Sequence, residues 1–275
     1  MALEARDREL ARKYGAYASY TETDAAPILT MDWGESAAGE VDRLLDRYAG
    51  PDAIVLDIGC GAGQTLCRLA PRVRAIYGFD QEEDLLTAAR ERAASLGVTN
   101  ATFLLGNISN PEDADALPDR MITLAFSRRG PNLPGAFLPK LTPDAVLVQE
   151  LVSDQDGAGL KELLGRKPFV PHSHGDADPL IGFYGGLEML PVSAKSYWSE
   201  QYFRDANHLE ANLKQGATLS NWWMPPLPYD PERDRVALEL YARYNRTEDG
   251  IRVLRHRRVY VFRRARVNYY PADPL

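Results

Sequence analysis

Residues 54–80, IVLDIGCGAGQTLCRLAPRVRAIYGFD, constrain this chain more than any other stretch. An apolar run, Ile54-Val55-Leu56, leads into Asp57, after which Gly59, Gly61 and Gly63 alternate with other residues. A helix-compatible stretch begins at Gln64, and a second apolar run, Ala75 to Phe79, ends in Asp80. The order is strand, glycine turn, helix, strand. Such a turn lets the backbone approach a ligand closely, and an acid about 20 positions further on can accept both hydroxyls of a ribose. The stretch therefore predicts a parallel βαβ unit that holds a nucleoside-bearing ligand.

Glycine spacing separates the possible ligands. A dinucleotide site needs G-x-G-x-x-G, whose third glycine lets helix and strand pack closely. Here the pattern is G-x-G-x-G, and Gln64 stands where that third glycine would be. The carboxylate of Asp57, just before the turn, would repel a pyrophosphate but suits an ammonium. On these residues, Asp57-Ile58-Gly59-Cys60-Gly61-Ala62-Gly63 together with Asp80, the chain resembles the class I S-adenosylmethionine (SAM)-dependent methyltransferases. The resemblance is good over Val55 to Glu150 and holds elsewhere by element order alone. It implies that Asp57, Gly59, Cys60, Gly61 and Gly63 hold the methionine part of SAM. It also implies that Asp80 binds the ribose, with Gln81, Asn107 and Ile108 around the adenine. Asn107 replaces the acid usual at that position, and its amide oxygen can accept the same bond. Ser127, with Arg128, falls where the methyl group meets its acceptor, and S-adenosylhomocysteine is the implied product.

Composition narrows the acceptor. A net charge of −7 argues against a broad nucleic-acid surface, which needs a basic footprint. The arginine-rich run Arg252 to Arg266 alternates with Val253, Val259, Val261 and Phe262, and reads as a strand with one solvated face rather than a phosphate track. The fourth strand ends in Ser127-Arg128-Arg129-Gly130 rather than the Asn/Asp-Pro-Pro-Tyr/Phe of enzymes that methylate exocyclic amines. A small-molecule acceptor is expected, with no DNA and no membrane. RNA methylation and non-catalytic SAM binding remain alternatives. The two cysteines form no CxxC or Cys/His cluster, so no zinc site or disulfide framework is expected. The charged N-terminus has no apolar segment like a signal peptide, and a cytoplasmic protein is expected.

The expected fold is a three-layer α/β sandwich around a mostly parallel seven-stranded, Rossmann-like sheet, with N-terminal helices and a C-terminal helical insertion. Residues 1–275 read as one methyltransferase domain: a helical lid over 1–50, the SAM-binding core over 51–151, and a substrate-side region over 152–275. Helices are expected over residues 3–18, 37–48, 64–69, 82–96, 133–141, 182–190, 200–214 and 230–244. The seven strands are expected over 54–57, 75–79, 102–105, 121–126, 145–151, 192–198 and 253–264, the last two forming an edge hairpin. Tyr20 to Ser36 reads as irregular, and the resemblance places it over the cofactor, with Trp33 as a cover or as plain packing.

Methyl transfer is an in-line displacement from a sulfonium, so the protein needs chiefly to position a nucleophile and exclude water. A base is required only where the nucleophile must lose a proton. Substrate-side candidates are Arg128, Arg129, Glu150, His172, His174, Tyr184, Trp198, Tyr202 and Trp222. Arg128 and Arg129 could clamp an anion bidentately, or either could pair with Glu150. His172 and His174, with Asp176 and Asp178, read as a polar loop rather than a metal site, because alternate histidines on an irregular loop make no ligand geometry.

Overall fold

The computed structural model describes residues 2–15, 19–166, 178–215 and 227–265. In chain order the elements are α1 (Ala2–Tyr14), β1 (Leu29–Asp32), α2 (Ala37–Tyr48), β2 (Ile54–Ile58), α3 (Gln64–Leu69), β3 (Ala75–Asp80), α4 (Glu83–Ser95), β4 (Ala101–Leu105), β5 (Ile122–Arg128), β6 (Leu141–Val152), α5 (Ala158–Leu163), α6 (Pro179–Gly185), β7 (Met189–Phe203), α7 (Ala206–Gln215), α8 (Pro231–Tyr244), β8 (Arg246–Thr247) and β9 (Gly250–Arg264).

One sheet of nine strands runs through the molecule in the order β1-β7-β9-β6-β5-β2-β3-β4, with β8 paired to β9. The five strands from β6 to β4 are mutually parallel. β9 is antiparallel to β6, and β7 to β9. The seven expected strands are all present, and β1 and β8 extend them.

Alternation along the strands divides the core into two layers. Val55, Ile76, Phe126, Val148, Val259 and Val261 face one side, where Val41, Leu44 and Leu45 of α2 pack with Leu66, Leu69 and Leu86. Ile54, Leu56, Ile58, Phe79, Leu147, Tyr260 and Phe262 face the other, against Phe137 and Tyr184. β2 is buried along its whole length, as an inner parallel strand must be.

The last hairpin does more than close the sheet. β6 ends at Val152, paired with Arg257, whereas β7 continues to Phe203, paired with Ile251. The overhang projects past the carboxyl ends of the parallel strands and gathers β1 on one edge and β8 on the other. A third apolar cluster forms on it from Leu160, Leu164, Phe203, Leu209, Leu213, Leu238, Tyr241, Ile251 and Val253, which brings α5, α7 and α8 into one cap.

Several expected elements differ. The supposedly irregular stretch 20–36 contains β1, whose four exposed residues are held by pairing with β7. The expected helix over 133–141 is a 3-10 turn over Gly135–Lys140, with Pro134 before it and Pro139 inside it, and Leu141 already belongs to β6. The expected helix from Glu200 starts only at Ala206, because β7 runs to Phe203. The helix opened by Asp230-Pro231 is as expected: the Asp230 side chain accepts from the amides of Glu232 and Arg233.

Candidate active site

Gly59, Gly61 and Gly63 all adopt left-handed conformations, with φ of 72°, 54° and 77°. At Gly63 the requirement is also spatial, since a Cβ would stand 2.9 Å from the Cβ of Ala89 on α4. The loop is tied to the neighbouring strand, for the amides of Gly59 and Cys60 both donate to the Phe79 carbonyl, at 2.8 and 3.1 Å. Asp80, closing β3, accepts from the Gly61 amide at 2.8 Å and the Glu82 amide at 3.1 Å. Four lone-pair sites on a carboxylate leave capacity for two ribose hydroxyls. Burial nevertheless raises the Asp80 pKa against these amide bonds.

Asp57 is buried beneath the loop. Burial pushes its carboxyl well above the usual range, Arg128 opposes the shift, and Asp80 adds to it. A buried acid in that state is relieved by a nearby cation. Gln81 and Asn107 are exposed beside the loop and Ile108 is buried. The Asn107 side-chain oxygen already accepts from the Ser109 amide at 2.9 Å, which leaves one lone pair.

The segment that the resemblance places over the cofactor begins with residues that sequence reasoning did not single out. Gln64 Nε2 donates to the Ser19 carbonyl. The Tyr20 ring lies over both guanidiniums, 5.4 Å from Arg128 and 5.1 Å from Arg129. Arg128 also donates to Asp42 on α2 at 2.9 Å and to Thr65 at 3.3 Å. No local pattern marks Ser19, Tyr20, Asp42 or Thr65, because tertiary approach alone brings them to the site.

Ser127, Arg128, Arg129 and Glu150 come together at the ends of β5 and β6, where Arg128 is in register with Glu150. Glu150 faces Arg128 Nε at 3.7 Å and Arg129 Nε at 3.8 Å. These are ion pairs too long for hydrogen bonds. Ser127 Oγ, Arg128 Nε, Glu150 Oε2, Gln64 Oε1 and Ser19 Oγ are each buried without a hydrogen-bond partner. Native interiors seldom leave such atoms unmatched, and these five lie close to the loop and the strand ends beside it.

The other candidates lie elsewhere. Tyr184 is enclosed in the core, where its hydroxyl donates to Gln149 at 2.5 Å and accepts from the Leu133 amide at 2.9 Å. Trp33 is 58% exposed and stacks on Trp198 at a centroid distance of 5.9 Å. Tyr202 is buried and donates to Glu200 at 2.5 Å. His172, His174, Asp176 and Trp222 lie outside the described residues. Among the described residues no three His, Cys, Asp or Glu side chains gather as metal ligands.

The arginines of β9 form the expected solvated face only in part: Arg252 and Arg263 are exposed, whereas Arg255 is buried and Arg257 and Arg258 are half-buried. Arg257 lies 2.5 Å and Arg255 3.4 Å from the buried Asp156, Arg258 lies 2.6 Å from Asp178, and Arg252 lies 3.3 Å from Glu200.

Residues 50–141, the strands and loop just described, match the family model of a methyltransferase domain. A Helicobacter pylori protein-L-isoaspartate O-methyltransferase is 26% identical over 128 residues, which cover 42% of this chain and 60% of that protein. A probable cobalt-precorrin-6B C(15)-methyltransferase (decarboxylating) of Methanococcus maripaludis is 35% identical over 57 residues, 21% of this chain and 32% of that protein. These matches support a methyltransferase domain of the class I SAM-dependent kind over this part of the chain. The chain spans less than two thirds of the length of these curated relatives. The fold extends beyond the matched segment: a crystal structure of a functionally unknown protein from Deinococcus radiodurans R1 superposes with a TM-score of 0.60 at 19% identity, over 95% of this chain and 99% of that one. No described helix is long and apolar enough to cross a membrane.

Proposed function

We propose that this protein transfers the methyl group of SAM to a small-molecule acceptor, with residues 1–275 acting as one unit. Asp57 carries the proposal. A carboxylate buried beneath three left-handed glycines is costly until a cation arrives, and SAM brings both an ammonium and a sulfonium. In this reading Asp57, Gly59, Cys60, Gly61 and Gly63 hold the methionine part, Asp80 the ribose, and Gln81, Asn107 and Ile108 the adenine. When bound, SAM supplies an activated methyl carbon and its own leaving group.

The chain's task is then placement. Ser127, Arg128, Arg129 and Glu150 meet the acceptor, and Glu150 Oε2, buried and without a hydrogen-bond partner, can take a proton from a hydroxyl or amine. The Ser19–Tyr20 crossing keeps water from the loop. An acceptor of small size, rather than RNA, accords with the pairing of Arg252, Arg255, Arg257 and Arg258 to acids of the same chain.

Calorimetric titration with S-adenosylhomocysteine, with NAD as a parallel control, tests the reading. Micromolar binding of the first and none of the second is expected. Binding of NAD alone would overturn it.

A further inference from the structure

The glycine loop has an attachment to the N-terminal helix. Arg92, in the last turn of α4, donates from Nε to the Ala62 carbonyl at 2.9 Å. Its Nη2 donates to both carboxylate oxygens of Asp7 on α1, at 2.7 and 2.6 Å. The two side chains are largely buried, 15% and 12% exposed. One guanidinium thus joins α1 to a carbonyl that lies between Gly61 and Gly63.

α1 runs antiparallel along α4. Asp7 meets Arg92 at one end, and at the other Lys13 Nζ and the Tyr14 hydroxyl donate to Asp84 at 2.6 and 3.2 Å. Between the two ends Leu10 packs with Leu85, with Ala88 and with Ala62 of the loop itself. α1 therefore bears on the loop both directly and through α4.

The composition of the loop explains why such support matters. Three left-handed glycines are costly in conformational entropy to hold in one shape. Phe79 and Asp80 hold the first half, through the amides of Gly59, Cys60 and Gly61. In the second half the Gly63 amide donates to Cys60, inside the loop, whereas Arg92 ties Ala62 to a separate helix. A ligand that binds a loose loop must supply the free energy of ordering it, and a loop held in advance binds more tightly. Asp7 matters in turn, because a guanidinium this far from water needs its carboxylate. Without that charge, Arg92 turns towards solvent and leaves Ala62.

We propose that Arg92 is a positioning residue for the cofactor loop and that Asp7 sets it, so that docking of α1 and binding of ligand at the loop strengthen one another. Naming that ligand SAM rests on the methyl-transfer reading; the hold on the loop does not.

The test uses the full chain, labelled with 15N, as wild type, as Arg92→Met, which keeps the apolar stem without a donor, and as Asp7→Asn, which keeps the shape without the charge. In the free protein the Gly63 amide, bonded to the Cys60 carbonyl, reports on the loop. Both variants should speed its hydrogen exchange by about tenfold or more, while the amides of β6 keep their protection. Both should also weaken S-adenosylhomocysteine by about 5- to 10-fold, measured by calorimetry well below their melting temperatures. In wild type, S-adenosylhomocysteine should slow exchange across α1, and Arg92→Met should lose that response. A pair that served the fold alone would lower the melting temperature and move neither the affinity of the folded chain nor the response of α1. If Arg92→Met does not fold, Asp7→Asn carries the same comparisons. Unchanged Gly63 exchange overturns the hold on the loop. Affinity within about twofold of wild type, or an α1 that does not respond to the ligand, overturns the coupling. Failure of wild type to bind S-adenosylhomocysteine sinks the cofactor reading and the coupling with it, and Gly63 exchange still decides whether Arg92 holds the loop.

Discussion

Asp57 sets function against stability. Its folded pKa lies above the unfolded one, so holding it ionised costs folding free energy at neutral pH, a cost relieved by protonation or by a bound cation. Asp57→Asn should therefore raise the melting temperature of the free protein while weakening S-adenosylhomocysteine by roughly 10- to 100-fold, the loss of a charge-assisted bond worth about 1.5–3 kcal/mol. Unchanged affinity would remove Asp57 from the ligand. Asp80→Ala should cost most of the affinity as well, since one carboxylate serves both ribose hydroxyls, and calorimetry reads both variants. His256, buried on β9, gives a separate pH signature. Its folded pKa of about 4 lies below the ordinary histidine value, so its contribution to stability is complete above about pH 6.5 and is lost as pH falls towards 4. The charged groups that face it are Arg257, Arg258, Asp154 and Asp156, with Asp178 behind Arg258, and an NMR titration of His256 with a midpoint near 6.5 would contradict this. Asp57, the three glycines and Asp80 were legible in the sequence because their chemistry is local: a turn, an acid before it, an acid at the next strand end. Tyr20 was not, because it acquires its surroundings from a distant strand. Tyr184 misled for the complementary reason, since its hydroxyl is matched by Gln149, 35 positions away, and by the Leu133 amide.

Elements were legible where their own period or punctuation decides them. The βα units of residues 54–128 alternate as parallel pairing demands, and α8 announces itself by Asp230 and Pro231. β1 forms because β7 offers an open edge, and nothing in Leu29–Asp32 alone requires it. The stretch after Leu133 has a helical spacing of apolar residues, but Pro139 falls inside it and removes a donor that a helix would need. Gly63 ties two elements together, because α3 starts there and α4 passes behind it. Two substitutions isolate that role. Gly97→Ala meets only a left-handed φ of 67° with no atom within 4 Å, and should cost about 1 kcal/mol. Gly63→Ala meets a φ of 77° and the Ala89 Cβ at 2.9 Å, and should cost a further 1–3 kcal/mol or so by displacing α4. Denaturant unfolding reads both, and equal losses would mean that α3 and α4 are not in tight contact through this glycine.

At the scale of the whole molecule, a helical insertion was expected on the substrate side, and α7 and α8 supply it between β7 and β9. The structure joins α5 and the overhanging ends of β7 and β9 to these helices, which makes a cap with an apolar cluster of its own. Contiguity in the sequence could not reveal this, because α5 precedes both strands and reaches the cap by folding back. The central tie is the Arg166–Asp234 pair, 2.6 Å apart with both side chains 2% exposed, which joins the end of α5 to the first turn of α8. Burial works to raise the Asp234 carboxyl, and Arg233 and Arg166 together hold it well below the usual range. Its stabilisation is therefore present above the unfolded carboxylate pKa and is lost as pH falls below it. Asp234→Ala strands a buried guanidinium and should cost about 3–5 kcal/mol. Because the cap has a separate core, that loss should appear as faster hydrogen exchange in α5, α7 and α8, while β2, β3 and β5 keep their protection and S-adenosylhomocysteine affinity stays within about twofold. Protection lost equally across β2, β3 and β5 would show instead that cap and cofactor core unfold as one unit, coupled through the continuous strands β7 and β9.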